Sequence, residues 1–417
     1  TLTGDSEFAL RYPSALFGVL AVPLGYALAR QLGLRARYGL VLGVLLATSP
    51  YLVWYGQEAK MYTMLLVLIT LGLIAYLKAL TDTPFVIRGV KAGWWIVFVL
   101  ATSLSFYTHI LSPLIIPVYG IIGLLLFEQV RAHWRAWLIS LGCITLPYVP
   151  LAAWQTPLLL NGFQSGHTFY PLQEQTFLLL RLYSTGLVQF GNVNALILFV
   201  FLFLCGLFLA QRVSSITYIQ RLILVTWAIL PPLFVYLISL RVPVFEDRYL
   251  IFITPAFYLL VTAGVIVIRH YSRLLAALCL GLVLIINLVG VWQQQRQPLK
   301  AEFRAVAGYL AQQPQSPAHI IVQAPYLHYT LNYYYPDDYT LLEGLWTNGG
   351  LTGTQVDEEM RRLTAGLPEV WLVVSEEDIW DRRHLTRTWL DQNATLVDEA
   401  HFVRADVYRY KFESDAH

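Results

Sequence analysis

Charge is scarce in this sequence. Asp, Glu, Lys and Arg together make up 13% of the 417 residues, whereas 57% of the residues are hydrophobic. Soluble domains contain roughly 25% charged residues, so this composition predicts an integral membrane protein. The remaining charges nearly balance, with a formal net charge of +2. A nucleic-acid partner requires a basic surface, and we therefore expect none.

Cysteine is equally rare. Cys143, Cys205 and Cys279 all lie in apolar runs, and no two of them have the spacing of metal ligands. We interpret them as small buried hydrophobic residues. None lies in the polar C-terminal region, which excludes a disulfide framework there. That region also lacks a glycine-rich phosphate loop, because GLWTNGGLTG does not have the required spacing.

Long apolar runs dominate what is present. A spanning helix needs about 20 mostly apolar residues, and ten segments approach that length. They are residues 13–30, 38–54, 61–80, 94–110, 111–127, 136–153, 191–210, 221–240, 249–268 and 273–292. Residues 177–190 are apolar but interrupted by Arg181, which favours an interfacial or re-entrant helix over a span. The sequence begins without Met, and we expect a further N-terminal span and loop before it.

The Lys and Arg residues of the short loops predict an orientation. One set of loops contains Arg30, Arg35, Arg37, Lys78, Arg88, Lys91, Arg131, Arg135, Arg212, Arg221, Arg269 and Arg273. The alternate set contains Arg11, Lys60, Arg181, Arg241 and Arg248. The richer set is expected in the cytoplasm. The loop at Glu58 and everything after Trp292 are then expected on the extracytoplasmic side.

The sequence changes character after about residue 297. Short helical and strand patterns alternate from there to the end, beginning with AEFRAVAGYLAQQ and HIIVQA and ending with NATLVDEA and VRADVYRYKF. This alternation predicts a small α/β domain with a largely parallel sheet. We therefore divide the chain into a juxtamembrane segment at 1–12, a transmembrane domain at 13–296 and an extracytoplasmic α/β domain at 297–417.

Three short stretches on the predicted outer side are candidates for chemistry. The first is YGQEAKMY at residues 55–62, where a helix starting near Gln57 would place Glu58 and Tyr62 on one face and Lys60 elsewhere. The second is RVPVFEDRYLIFITP at residues 241–255, where Arg248 suits a phosphate at headgroup level. The third is SFYTHILSP, with His109 at the end of a predicted span.

Each stretch also has a purely structural interpretation. The first suits an interfacial turn with tyrosines and a snorkelling Lys60. In the second, Glu246 and Asp247 would complement a helix dipole. A lone His109 near a helix C-terminus is commonly a partner of that dipole.

Four motifs together resemble a known family. Residues 6–18 and 49–66 contain SEFALRYPSALFG and SPYLVWYGQEAKMYTMLL, followed by YTH at 107–109 and RYLIFITP at 248–255. These resemble the bacterial GT-C membrane glycosyltransferases related to dolichyl-phosphate-mannose protein mannosyltransferases, which include lipid A aminoarabinose transferases. The resemblance extends over residues 4–292. It implies a polytopic α-helical membrane fold of GT-C type with a C-terminal extracytoplasmic α/β domain.

The resemblance also implies a reaction and a set of residues. Such enzymes move a sugar from a polyprenyl-phosphate donor, with inversion, to an acceptor protein, lipid or polysaccharide on the extracytoplasmic side. Glu58 would orient the acceptor or hold a divalent metal, with His109 as an auxiliary ligand or hydrogen-bond donor. Lys60 and Arg248 would offset the phosphate charge. The remaining predicted substrate-binding residues are Arg11, Gln57, Tyr62, Glu246, Asp247 and Tyr249.

The sequence departs from the family pattern in two ways, which limits the roles that the resemblance implies for its residues. The family's catalytic Asp lies in a loop that precedes the segment matching residues 6–18, so we expect this chain to be a fragment without that Asp. Glu7 and Asp5 are interpreted as capping and dipole groups of the first helix. Lys60 replaces a common Arg and cannot make a planar bidentate contact. A transporter or flippase of a lipid-linked sugar, or a noncatalytic scaffold, remain the alternatives.

Overall fold

The structure is a computed structural model, and it describes residues 4, 6–81, 93–160, 167–187, 193–213, 217–297 and 299–413. Side chains are described in these ranges except at 158–160, 193 and 210–213. The chain divides into two compact units. One contains Thr1–Phe163 and Thr168–Arg296, and the other contains Gln164–His167 and Gln297–His417.

The first unit is helical throughout its regular elements. Its α-helices, in chain order, are α1 (Glu7–Gln31), α2 (Ala36–Thr48), α3 (Pro50–Gly56), α4 (Tyr62–Leu80), α5 (Gly93–Thr108), α6 (Ile115–Leu125), α7 (Phe127–Ala132), α8 (Trp134–Leu160), α9 (Leu172–Thr185), α10 (Val193–Val213), α11 (Tyr218–Ser239), α12 (Thr254–Tyr271) and α13 (Arg273–Arg296). Two 3₁₀ helices, Ser112–Leu114 and Asp247–Ile253, precede α6 and α12.

The described helices account for all ten predicted apolar segments. Six of them are long and apolar enough to cross a membrane, and a seventh arises if α2 and α3 are taken as one bent span. Shorter apolar helices at Gly93–Thr108, Ser112–Leu125 and Asn194–Leu209 cover the other three. The prediction of an integral membrane protein is thereby confirmed, and within the described residues six or seven of the ten predicted segments reach spanning length.

The segment predicted as one span at 38–54 is broken. Helices α2 and α3 meet at an angle of 59°. Ser49 has extended backbone and its Oγ accepts a hydrogen bond from the Leu52 N–H at 3.3 Å, so it caps α3. Pro50 follows at the first helical position, where it cannot donate to the preceding turn. The break therefore has a local cause in the Ser-Pro pair.

The N-terminal helix begins where a capping residue predicts it. The Ser6 Oγ accepts a hydrogen bond from the Ala9 N–H at 3.2 Å, and Glu7 lies in the first turn. Asp5, the other residue expected to contribute there, lies outside the described residues. Helix α9 covers most of the segment predicted to be interfacial, although it starts earlier, at Leu172.

The second unit contains a five-stranded sheet. Its strands are β1 (His319–Val322), β2 (Thr340–Glu343), β3 (Glu369–Val374), β4 (Thr395–Phe402) and β5 (Ala405–Lys411). Its helices are α14 (Phe303–Ala311), α15 (His328–Tyr334), α16 (Gly353–Thr364), α17 (Glu377–Trp380) and α18 (Leu385–Asn393), with 3₁₀ helices at Pro325–Leu327 and Thr347–Gly349.

The sheet is mixed, and the prediction of a largely parallel sheet is wrong. The strand order is β2-β1-β3-β5-β4. Strands β1, β2 and β3 are parallel, whereas β5 is antiparallel to both β3 and β4. The cause is the two-residue connection between β4 and β5, which is too short for a parallel crossover.

Both faces of this sheet are covered. Along β3, Trp371 and Val373 pack with Phe303 and Val306 of α14, while Val370 and Leu372 belong to a separate cluster on the other face. The second cluster contains Val356 and Met360 of α16 together with Trp389 and Leu390 of α18. Burial on both faces explains the continuous apolar runs HIIV and EVWLVV.

Candidate functional site

The stretch YGQEAKMY contains a turn at residues 57–61, called the hinge below, between the end of α3 at Gly56 and the start of α4 at Tyr62. The expectation of a helix starting near Gln57 is wrong. Glycine weakens the end of α3, and the Gln57 N–H bonds to the Trp54 carbonyl in a tighter turn. Glu58 and Tyr62 therefore do not share a helical face. Gln57 and Lys60 are exposed, Glu58 is half-buried and Tyr62 is buried.

Helix α1 is hydrogen-bonded directly to this hinge. The Ser14 hydroxyl donates to the Lys60 carbonyl at 2.7 Å, and the Thr63 hydroxyl donates to the Ser14 carbonyl at 2.8 Å. The segment that carries the first family-like motif thus holds the second one in place. Arg11 lies on the same helix and pairs with Glu7 at 3.6 Å.

The segment with Asp247 is tied to α3 by two tyrosines. The Tyr51 hydroxyl donates to the Asp247 carbonyl at 2.9 Å, and the Tyr55 hydroxyl donates to Asp247 Oδ2 at 2.8 Å. Sequence reasoning did not identify these tyrosines. Their spacing of four in PYLVWYG places both on one side of a helix, which was the available signal.

Two further tyrosines lie behind this contact. The Tyr183 hydroxyl donates to the Leu250 carbonyl at 2.9 Å, and its ring lies 4.9 Å from that of Tyr51. The Tyr258 hydroxyl donates to the Tyr183 carbonyl and lies 2.7 Å from the Ser49 hydroxyl. Buried hydroxyls need such partners, so these tyrosines fix the 3₁₀ helix at Asp247–Ile253 against α3 and α9.

Arg248 lies beside the Tyr249 ring, which belongs to a cluster of three aromatic rings. Its guanidinium carbon is 5.8 Å from the centre of the Tyr249 ring, which is 4.6 Å from His109. Tyr62 lies 6.3 Å from His109 and 6.4 Å from Tyr249, measured between ring centres. The structure thus brings together four predicted site residues from three separate segments.

The Arg248 side chain has an exposed part and a buried part. It is 37% exposed, and its terminal nitrogen is 3.6 Å from the Glu246 carboxylate. Its Nε atom is buried and has no hydrogen-bond partner among the described residues. Buried polar atoms are nearly always paired, so this unsatisfied donor marks a place where an acceptor is expected.

The surroundings of His109 favour its neutral form. It lies between helix α5 and the 3₁₀ helix at Ser112–Leu114. Its Nδ1 accepts a hydrogen bond from the Leu111 N–H at 3.2 Å. Burial, assisted by the nearby Arg248 charge, lowers the pKa of His109 from 6.5 to about 4. Nε2 then carries the proton. Of the two roles predicted for His109, this favours the hydrogen-bond donor over the metal ligand.

A divalent metal does not fit the described side chains. Within the described ranges, no group of three or more His, Cys, Asp or Glu residues is placed to hold a metal ion. Divalent cations in proteins usually take several such ligands. Glu58 interacts electrostatically with Tyr55 and Tyr62, which places it at the edge of the aromatic cluster.

The N-terminal part of the chain matches a known protein family. The family model of dolichyl-phosphate-mannose-protein mannosyltransferase matches residues 1–149. These residues include the hinge, helix α1 and His109. No curated protein sequence matches the chain.

Solved structures share the fold of nearly the whole chain. ArnT from Cupriavidus metallidurans in the apo state is similar with a TM-score of 0.58 and 16% identity, covering 96% of this chain and 83% of that one. The same protein bound to undecaprenyl phosphate is similar with a TM-score of 0.56 and 16% identity, covering 97% and 84%. The Archaeoglobus fulgidus oligosaccharyltransferase in the apo form is similar with a TM-score of 0.52 and 10% identity, covering 98% and 64%. The predicted GT-C fold is confirmed.

Proposed function

We propose that this chain, which has the GT-C fold and matches the protein mannosyltransferase family over residues 1–149, is a polyprenyl-phosphate-dependent glycosyltransferase. It transfers a sugar with inversion to an acceptor protein, lipid or polysaccharide. We place it in a bacterial inner or plasma membrane with the hinge and Arg248 on the extracytoplasmic side, the orientation that the loop charges predict. The similar ArnT structure with undecaprenyl phosphate supports the choice of donor class.

The observation that carries the proposal is Arg248. A guanidinium with one buried unpaired N–H and one half-exposed end suits a phosphodiester, whose oxygens accept two hydrogen bonds in one plane. The adjacent Glu246 holds the exposed end until the donor arrives. As the glycosidic bond breaks, negative charge grows on the departing phosphate, and Arg248 stabilises it.

The aromatic side chains around Arg248 have a second role. Tyr62 and Tyr249, with neutral His109 between them, form an uncharged wall that lowers the local polarity and strengthens the Arg248–phosphate attraction. The Nε2–H of His109 donates one hydrogen bond to the polyprenyl-phosphate sugar. Asp247 keeps Arg248 in register through Tyr51 and Tyr55.

The hinge residues would contact both substrates. Glu58 orients the attacking hydroxyl, while Lys60 and Gln57 contact the donor headgroup, and Arg11 contributes from α1.

Replacing Arg248 tests this proposal. R248A removes the proposed phosphate contact, and the catalytic efficiency for a polyprenyl-phosphate sugar should fall by about 10- to 100-fold, since a hydrogen bond to a charged group contributes about 1.5–3 kcal/mol. R248K keeps the charge without the planar fork and should recover part of that loss. Transfer of radiolabelled sugar at limiting donor measures both effects.

Arg241 provides the matched control. It is exposed and lies seven residues earlier in the same connection, so R241A should transfer sugar like the wild type. Thermal unfolding of each variant checks that the fold is intact. Undiminished turnover of a folded R248A at limiting donor would refute the phosphate-binding role.

A further inference from the structure

The sheet of the second unit has a topological switch point. The chain leaves β1 for β2 on one side, whereas β3 pairs with β1 on the other side. The connections after the carboxyl ends of β1 and β3 therefore diverge. In open α/β sheets, ligands bind in the crevice that such a divergence creates. This edge is remote in sequence from every residue assigned above to the transfer reaction.

The two connections meet across that crevice. Tyr326 follows β1, Glu376 follows β3, and the Tyr326 hydroxyl donates a hydrogen bond to the Glu376 carboxylate. Buried Gln323, which directly follows β1, donates through Nε2 to the Thr386 hydroxyl at 3.3 Å. This edge thus contains a buried polar pair and a hydrogen bond that bridges the two connections.

Three aromatic side chains lie next to each other there. The Tyr326 and Trp380 ring centres are 5.7 Å apart, and those of Trp346 and Trp380 are 6.0 Å apart. Trp380 is held in place because its indole N–H donates to the Gly344 carbonyl at 3.2 Å. Tyr326 is 44% exposed, and both tryptophans are half-buried. Part of each ring therefore remains available to a ligand.

Two carboxylates precede Trp380 in the chain. Glu376 is exposed, and half-buried Glu377 lies 3.0 Å from His384 Nδ1. Glu376 and His384 both have left-handed backbone, with φ of 56° and 53°. Non-glycine residues held in this conformation cost free energy and cluster at functional sites. The nearby Arg383 donates to the carbonyls of Thr347 and Leu351, so its charge points at the backbone.

We propose that this edge of the second unit binds an unphosphorylated oligosaccharide. The apolar C–H face of a pyranose packs on an aromatic ring, and Trp346, Trp380 and Tyr326 provide a row of rings for successive units. The Glu376 and Glu377 carboxylates accept hydrogen bonds from sugar hydroxyls. The same carboxylates repel anionic ligands, which disfavours phosphorylated or uronic-acid glycans.

Binding to the full chain in nanodiscs tests the inference. Nanodiscs are needed because sugar-headed detergents would compete for the site. The probes are soluble tetrasaccharides of α- and β-linked glucose, of mannose and of N-acetylglucosamine, each titrated by saturation-transfer difference NMR. At least one should bind the wild type. Y326A and E376Q should each weaken that binding by about tenfold, the effect of losing one ring contact or one charged acceptor.

Two variants of the same unit serve as controls. Tyr333 is 40% exposed and Asp378 is exposed, so Y333A and D378N match the test variants in exposure and chemistry. Both should bind the probe like the wild type. Failure of every tetrasaccharide to bind, or equal binding by Y326A, E376Q and the controls, would overturn the inference.

The assay contains no polyprenyl-phosphate donor. A chain that binds the probe but transfers no sugar therefore refutes only the proposed function. A chain that transfers sugar but binds no probe refutes only the oligosaccharide site.

Discussion

His109 shows how a residue's surroundings decide its chemistry. The sequence places it after an apolar segment, where a charged imidazolium would suit the end of a helix. In the structure it is 5% exposed and close to Arg248, so the neutral form is favoured instead. No pattern in SFYTHILSP predicts this, because Arg248 is brought there by the fold from far along the chain.

The lowered pKa of His109 predicts a pH-dependent stability. The native pKa of about 4 lies below the unfolded value of 6.5, so the unfolded state binds more protons between these values. The stabilisation is complete above pH 6.5 and is lost as the pH falls toward 4. Between pH 7.5 and pH 5, the wild type should lose about 2 kcal/mol more unfolding free energy than H109N.

Denaturant unfolding at both pH values measures this difference. Asn keeps an oxygen able to accept the Leu111 N–H, and it does not titrate. An identical pH dependence of the two proteins would mean that the native fold does not lower the pKa of His109.

Helices α10 and α12 illustrate close packing at the scale of elements. A Cβ atom added at Gly206 would lie 1.9 Å from the Leu260 carbonyl oxygen, and one at Gly264 would lie 2.0 Å from the Leu202 carbonyl oxygen. Reciprocal glycines allow two backbones to approach this closely, as small residues do in membrane helix pairs. The apolar composition predicts both helices, but it does not predict which faces meet.

Substituting these glycines should therefore separate the helices. G206A and G264A should each lower the free energy of unfolding by about 1–3 kcal/mol, the usual cost of overpacking, because backbone atoms cannot move aside. G281A in α13 is the control, since nothing lies within 4 Å of its added Cβ. Thermal melts of the three variants measure the effect. Equal melting temperatures would show that α10 and α12 do not pack as described.

Across the whole molecule, the features that depend on neighbouring residues are the ones that the sequence predicts well. Runs of apolar residues are local, so each of the ten predicted segments is mainly helical over its described residues. The break at Ser49–Pro50 is also local, and a Ser-Pro pair signals it. The direction of the strands is harder to predict from the sequence. The β4–β5 turn contains Arg404 in a left-handed conformation, where Gly or Asn is the usual residue.

The candidate site is the least local feature. Sequence motifs identified Tyr62, His109, Arg248 and Tyr249 separately, but their meeting depends on hydrogen bonds from Tyr51 and Tyr55 to Asp247. The roles of all predicted site residues, including Glu58 and Lys60, stay predictions. Their chemistry is tested only by turnover.

The most direct test of the proposed function is product release in proteoliposomes. The purified chain is reconstituted with a polyprenyl-phosphate sugar, and free polyprenyl phosphate is measured in the presence of candidate acceptors. A glycosyltransferase should give release that depends on the protein and the acceptor and that falls in R248A. Transbilayer movement of the intact donor without any released polyprenyl phosphate would contradict it and would identify a flippase.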